Sequence, residues 1–139
     1  VLQSMPELLS DDIYIYNTNA LSNRRVSLSK YGFPTNYLQG TNMPSHRFPS
    51  ISGNGRYLFF SSDGHQSMGG KDVFVSKNTN GKWSKPKNLG AGINTVNDDI
   101  FFVYDQESGN AYISGYHIVG NKSSLDIFKI DMKEFSFPE

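Results

Sequence analysis

Apolar positions along the chain fall in short runs, each bounded by a cluster of Asn, Gly, Ser, Asp or Pro. Ile13 to Tyr16 is closed by Asn17-Thr18-Asn19, and Arg24 to Leu28 reads as the strand returning from that turn. Tyr31 to Ser45, rich in Gly, Pro and Asn, reads as loop. Arg47 to Ser52, a Gly53-Asn54-Gly55 turn and Tyr57 to Ser61 predict a second hairpin. A loop holding Asp63-Gly64 and Gly69-Gly70 leads to Val73–Ser76. Asn78-Thr79-Asn80-Gly81 predicts a tight turn, because Asn-Gly tolerates the positive φ it requires, and the chain returns through Lys82-Trp83-Ser84. Beyond a linker from Pro86 to Asn97 come Ile100 to Tyr104, Ala111 to Ser114 and Asp126 to Ile130. No stretch sustains a helical period.

These runs recur. Sliding the sequence by 54 residues, without a gap, lays Phe48 on Phe102, Gly55 on Gly109, Asp72 on Asp126 and Phe74 on Phe128. Asp12-Ile13-Tyr14 matches the same acidic-aliphatic-aromatic position once more, 60 residues before Asp72. Four strands at such a period are the sequence form of a β-propeller blade. The expected organisation is the last strands of one blade plus a linker over residues 1–45, a complete blade over 46–96 and a following blade over 97–139, whose fourth strand begins at Phe135-Ser136-Phe137. Propellers close with about four to eight blades. The chain is therefore expected to be part of a longer protein, the alternatives being an open stack completed by a partner or a β-sandwich.

Composition agrees with an all-β fold. Gly, Ser and Asn supply 44 of the 139 residues and aromatics 14%, against three Ala and four Glu, so strand and turn formers outweigh helix formers. Thirteen basic residues balance 13 acidic ones, which disfavours nucleic-acid and membrane-surface binding. The lack of cysteine excludes disulfides and thiolate metal sites. No apolar run reaches the length needed to span a bilayer as a helix.

Phe48-Pro49, Leu58-Phe59-Phe60, Ser62-Asp63-Gly64, Gly69-Gly70-Lys71-Asp72, Trp83, Asn88-Leu89-Gly90 and Ile93-Asn94 follow one another in a characteristic order. In that order they resemble the TolB-like, WD-like β-propeller repeat of OmpA-associated envelope proteins from Bacteroidetes-type bacteria. The resemblance covers residues 46–95 well and 97–133 more loosely. The third unit departs from it, with Gly115-Tyr116-His117-Ile118 in place of the Ser-Asp-Gly loop and Ser123-Ser124 in place of the paired glycines. The resemblance implies a periplasmic or outer-membrane-associated protein whose relatives carry tetratricopeptide and peptidoglycan-binding domains. Some members serve type IX secretion and gliding. Its partners would be envelope proteins or other domains of the parent chain.

Candidate chemistry is sparse. Asp72 and Asp126 each open an apolar strand, where a carboxylate accepts bonds from turn or neighbouring N–H groups, so a structural role is expected. Asp98 and Asp99 are sequence neighbours that point to opposite faces and form no acid/base pair, as are Asp11 and Asp12. Ser61, Ser62, Asp63 and His65 suggest a hydrolase, yet a triad draws its groups from separated segments, and Asp63-Gly64 is more simply a turn. His46, His65 and His117 lack metal-ligand spacing, and no EF-hand loop occurs. His65 and His117 fall in equivalent loops at one end of the blades. With Trp83 and Tyr116 they are the candidate ligand-binding residues: His65, Trp83, Tyr116 and His117. Lys82, Lys85 and Lys87 read as a solvated hairpin face, and Phe59 and Phe60 as packing on opposite sides of one strand. The expectation is a non-catalytic scaffold or protein-binding module without cofactor or metal. Glycan or peptidoglycan-fragment binding is the alternative, and a propeller hydrolase ranks below both.

Overall fold

The computed structural model describes residues 14–17, 22–25 and 46–138, with side chains from Arg47 onward. The Ile13 position, the second half of the Arg24 to Leu28 run, the Asp11-Asp12 pair and the loop through Tyr31 to His46's neighbour Ser45 lie outside the described residues. Strands β1 (Tyr14–Asn17) and β2 (Ser22–Arg25) form an antiparallel pair. The rest of the described chain is two antiparallel meanders, and no described residue is helical.

The first meander comprises β3 (His46–Ile51), β4 (Tyr57–Ser62) and β5 (Asp72–Thr79). The far edge of β5 carries two short strands, β6 (Lys82–Trp83) and β7 (Lys87–Asn88), which together make a broken fourth strand. The expected hairpin turn is present, with Asn80 and Gly81 at φ of 52° and 82°. The break follows from Pro86, which has no N–H to give to a ladder. The second meander comprises β8 (Ile100–Asp105), β9 (Asn110–Val119) and β10 (Lys122–Asp131), in the order β8-β9-β10.

The two meanders are built alike, with one residue of difference. Arg47 pairs with Ser61 and Ser61 with Val73, while Ile100 pairs with Ser114 and Ser114 with Ile127. The offset is therefore 53 residues over the first two strands and 54 over the third. This corrects the ungapped slide: the counterpart of Phe48 is Phe101, not Phe102. Each sits at a register shift in its first strand, with φ of 56° and 55°, and their rings lie 4.0 Å apart. The extra residue lies between the second and third strands. In the first meander residues 63–71 form a nine-residue loop, whereas residues 116–125 continue the ladder to a two-residue turn at Gly120-Asn121. Pairing to a two-residue turn uses residues in pairs, so ten fit where nine do not.

Strand alternation then assigns the faces. Phe59, Val73 and Val75 point one way, and pack with Leu89 and Ile93 against Phe102, Ala111, Ile113 and Met132 of the second meander. Leu58, Phe60 and Phe74 point the other way, with Trp83 packed on them. Phe59 and Phe60 thus do face opposite sides, and Phe59, fully buried, is the centre of the inter-sheet core. Phe102 lies 4.9 Å from its ring. Burying such a side chain contributes about 1.5–3 kcal/mol. Ser50 adds a hydrogen bond across the interface, its Oγ donating to the Phe102 carbonyl at 2.5 Å.

The chain after β10 does not form the expected fourth strand. Phe135 to Pro138 carry no ladder, and Phe137 turns back to the inter-sheet core, 4.8 Å from Tyr57, 5.3 Å from Tyr104 and 5.5 Å from Phe59. The apolar spacing that suggested a strand instead plugs the end of the core. Among the described residues, nothing pairs with the outer edge of β10.

Candidate functional site

Asp72 opens β5 fully buried, and its Oδ2 accepts from the Met68 N–H and from Asn88 Nδ2, both at 2.7 Å. Asn88 passes the network on, its Oδ1 accepting from the Gly90 N–H at 2.7 Å and from Asn94 Nδ2 at 2.8 Å. Asn94 ends it on the edge of β5. Its Oδ1 accepts from the Val73 N–H at 2.8 Å, and its Nδ2 donates to the Val73 carbonyl at 3.0 Å. The carboxylate at the strand start thus serves the turn before it and the strand beside it, the structural role expected of it. Asn88 and Asn94 do what a regular fourth strand would otherwise do, satisfying β5 through side-chain amides. The Asn-Leu-Gly and Ile-Asn pattern carries this signal in the sequence, although composition alone reads both asparagines as linker.

A second buried carboxylate lies where the meanders meet. Asp99 accepts from the Thr95 N–H at 2.6 Å. Burial raises its pKa above the ordinary aspartate value, the Thr95 hydrogen bonds oppose this, and the nearby charges of Asp72 and Asp98 raise it further. Asp98 turns elsewhere, accepting from the Lys71 N–H at 2.7 Å, so the two neighbours have separate partners as alternation requires. Gly69 and Gly70 admit this close approach: a Cβ on Gly69 would collide with the Val96 backbone and one on Gly70 with the Asp98 carboxylate.

The four candidate ligand residues fall in different surroundings. His65 belongs to the loop after β4 and packs its ring 4.9 Å from Phe74. With Met68, Phe74, Pro86, Lys87 and Asn88 it lines an open groove of about 490 Å³ beside the broken fourth strand. Trp83, half-buried, packs on Leu58, Phe60 and Phe74, so its ring serves the sheet rather than standing free. Lys82, Lys85 and Lys87 are exposed around it, as a solvated face. Tyr116 and His117 are not in a loop equivalent to that of His65 but in the extended β9, paired with Leu125 and Ser124. His117 Nδ1 lies 3.3 Å from Asp126 Oδ2, which also accepts from Ser124 Oγ at 2.8 Å. Asp126, the counterpart of Asp72, is thus held by its own hairpin instead of by a linker.

The outward face of the second meander was not anticipated. Val103, Tyr112, Tyr116, Leu125 and Ile127 are all exposed, Ile127 to 78%. Its counterpart Val73 is fully buried, as is Phe59, the counterpart of Tyr112. Among the described residues, no group of three or more His, Asp or Glu could hold a metal ion, and no helix is long and apolar enough to cross a membrane. No protein-family model, curated protein or solved structure matches the chain.

Proposed function

We propose that this chain is a non-catalytic protein-binding scaffold of β-propeller type, belonging to a periplasmic or outer-membrane-associated protein of the bacterial envelope and serving secretion or envelope machinery there. The observation that carries the binding role is the outward face of the second meander. Single exposed apolar residues are ordinary, but five large ones on one sheet face are what an interaction surface looks like. The same face of the first meander is closed by the second, which supports a face built for a protein sheet. The propeller and envelope parts of the reading rest on the resemblance of residues 46–95 to the TolB-like repeat.

The test is a pull-down from native envelope extract with the wild-type chain, Val103→Lys/Ile127→Lys and Lys82→Glu. The scaffold reading expects one stoichiometric partner, lost with the double variant and kept with Lys82→Glu. A partner retained by the double variant overturns it. Binding of a glycan or peptidoglycan fragment is the second reading, favoured by the His65 groove with its aromatic, cationic and amide lining. It expects soluble peptidoglycan fragments to raise the melting temperature, and His65→Ala to remove the shift.

A further inference from the structure

The edge of β10 offers more than an apolar face. In the first meander the equivalent edge of β5 is occupied along its length. Phe74 and Val75 pair with Asn88 and Lys87, the Leu89 N–H donates to the Val73 carbonyl at 3.1 Å, and Asn94 takes the Val73 N–H. Val73 corresponds to Ile127, Val75 to Lys129 and Asp72 to Asp126, so Ile127 and Lys129 direct their backbone groups away from β9. Among the described residues nothing meets them. Residues 132–138 cannot do so, since Met132, Phe135 and Phe137 are committed to the inter-sheet core.

Resting on the protein-binding reading above, we infer that the edge of β10 is a docking site for an extended segment of a partner protein, running antiparallel to β10 and carrying an Asn followed by an aliphatic residue. The partner's chemistry follows from what β5 already binds. An asparagine amide donates to Asp126 as Asn88 does to Asp72, the next N–H donates to the Ile127 carbonyl, and the aliphatic side chain covers Ile127 as Leu89 covers Val73. Backbone pairing supplies affinity and the Asn-aliphatic pair supplies register. A second copy is the poorer occupant. The face it would offer by analogy with the existing pair is that of Leu58, Phe60 and Phe74, which are already buried. Antiparallel pairing of β10 with itself centred on Ile127 would set Asp126 opposite Phe128, whose side chain offers the carboxylate no further donor such as Asn88 gives Asp72.

The chain itself contains a probe, the segment from Ser84 to Val96. A synthetic peptide of that sequence is added to the full chain, and amide hydrogen exchange is followed residue by residue. Exchange at Ile127 and Lys129 should slow about tenfold with a dissociation constant below about 1 mM. A peptide with Pro at the Leu89 position should have no effect, because it lacks the required N–H. Asp126→Ala in the chain should weaken binding by about tenfold or more. No slowing, or equal slowing by the Pro peptide, overturns the inference. Protection of Ile127 without peptide also overturns it: if it grows with protein concentration a second copy occupies the edge, and if it does not, the chain's own residues do. The two tests fail separately: the envelope pull-down asks whether a native partner binds at all, whereas the peptide titration asks whether the β10 edge accepts an Asn-aliphatic strand.

Discussion

Asn94→Ala is the sharpest perturbation of the first meander. The side chain is almost wholly buried and makes three hydrogen bonds, to the Val73 N–H, the Val73 carbonyl and Asn88. The Val73 carbonyl keeps the Leu89 N–H, and Asn88 Oδ1 keeps that of Gly90, so neither acceptor is stranded. The Val73 N–H loses its acceptor inside a residue that is fully buried. An orphaned buried donor costs about 1–3 kcal/mol, and the two lost bonds whose acceptors keep a partner about 0.5–1.5 kcal/mol each, so about 2–6 kcal/mol is expected. Urea denaturation of the full chain, followed by tryptophan fluorescence from Trp83 beside Phe74, reads this as a lower midpoint at unchanged slope. Asn94→Asp separates hydrogen bonding from shape. It keeps the acceptor for Val73 but turns a second oxygen on the Val73 carbonyl and Asn88 Oδ1, so its deficit should shrink as pH falls and the new carboxyl protonates. A loss below about 0.5 kcal/mol for Asn94→Ala, within the range of ordinary surface substitutions, would refute the network as the clamp on β5.

Phe59→Ala should cost about 3–5 kcal/mol in the same assay, because the ring is fully buried among Val73, Val75 and Phe102. Gly70→Ala should destabilise although it removes no contact, since its Cβ meets the Asp98 carboxylate; calorimetry should show a lower melting temperature. Ser76→Ala should be neutral or stabilising, as its buried hydroxyl has no hydrogen-bond partner among the described residues. Asp99 sets a pH dependence. Its folded pKa lies above the unfolded value of 3.8, so its contribution is fully present below that value and is lost as pH rises through the folded pKa. Asp99→Asn should therefore flatten the acid limb of the stability profile above about pH 4 and leave neutral-pH stability equal or higher, while retaining an acceptor for Thr95.

Strand positions were legible because period-2 runs and Asn-Gly turns are local signals: β3, β4, β8 and the start of β5 fall where the apolar runs predict them. Two features escaped for non-local reasons. β9 and β10 extend beyond Ala111–Ser114 and Asp126–Ile130, because pairing across Gly120-Asn121 carries polar residues such as Ser123 and Ser124 into the ladder. Phe135 and Phe137 have strand spacing, but an open core end beside Tyr57 and Tyr104 claims them instead. The candidate site was legible only in outline. His65 and Trp83 each pack on the Leu58, Phe60 and Phe74 face of the first meander, yet the proposed binding face is that of the exposed Ile127 and Tyr112. No sequence feature marks those two as exposed when their counterparts Val73 and Phe59 are buried.

The most direct measurement of the proposed docking surface is photo-crosslinking in intact cells, with a benzophenone amino acid placed at Ile127 on the outward face and, separately, at Lys82 on the opposite meander. The account predicts one discrete protein adduct from position 127 and none from 82. Equal adducts from both positions, or none from 127, would contradict it.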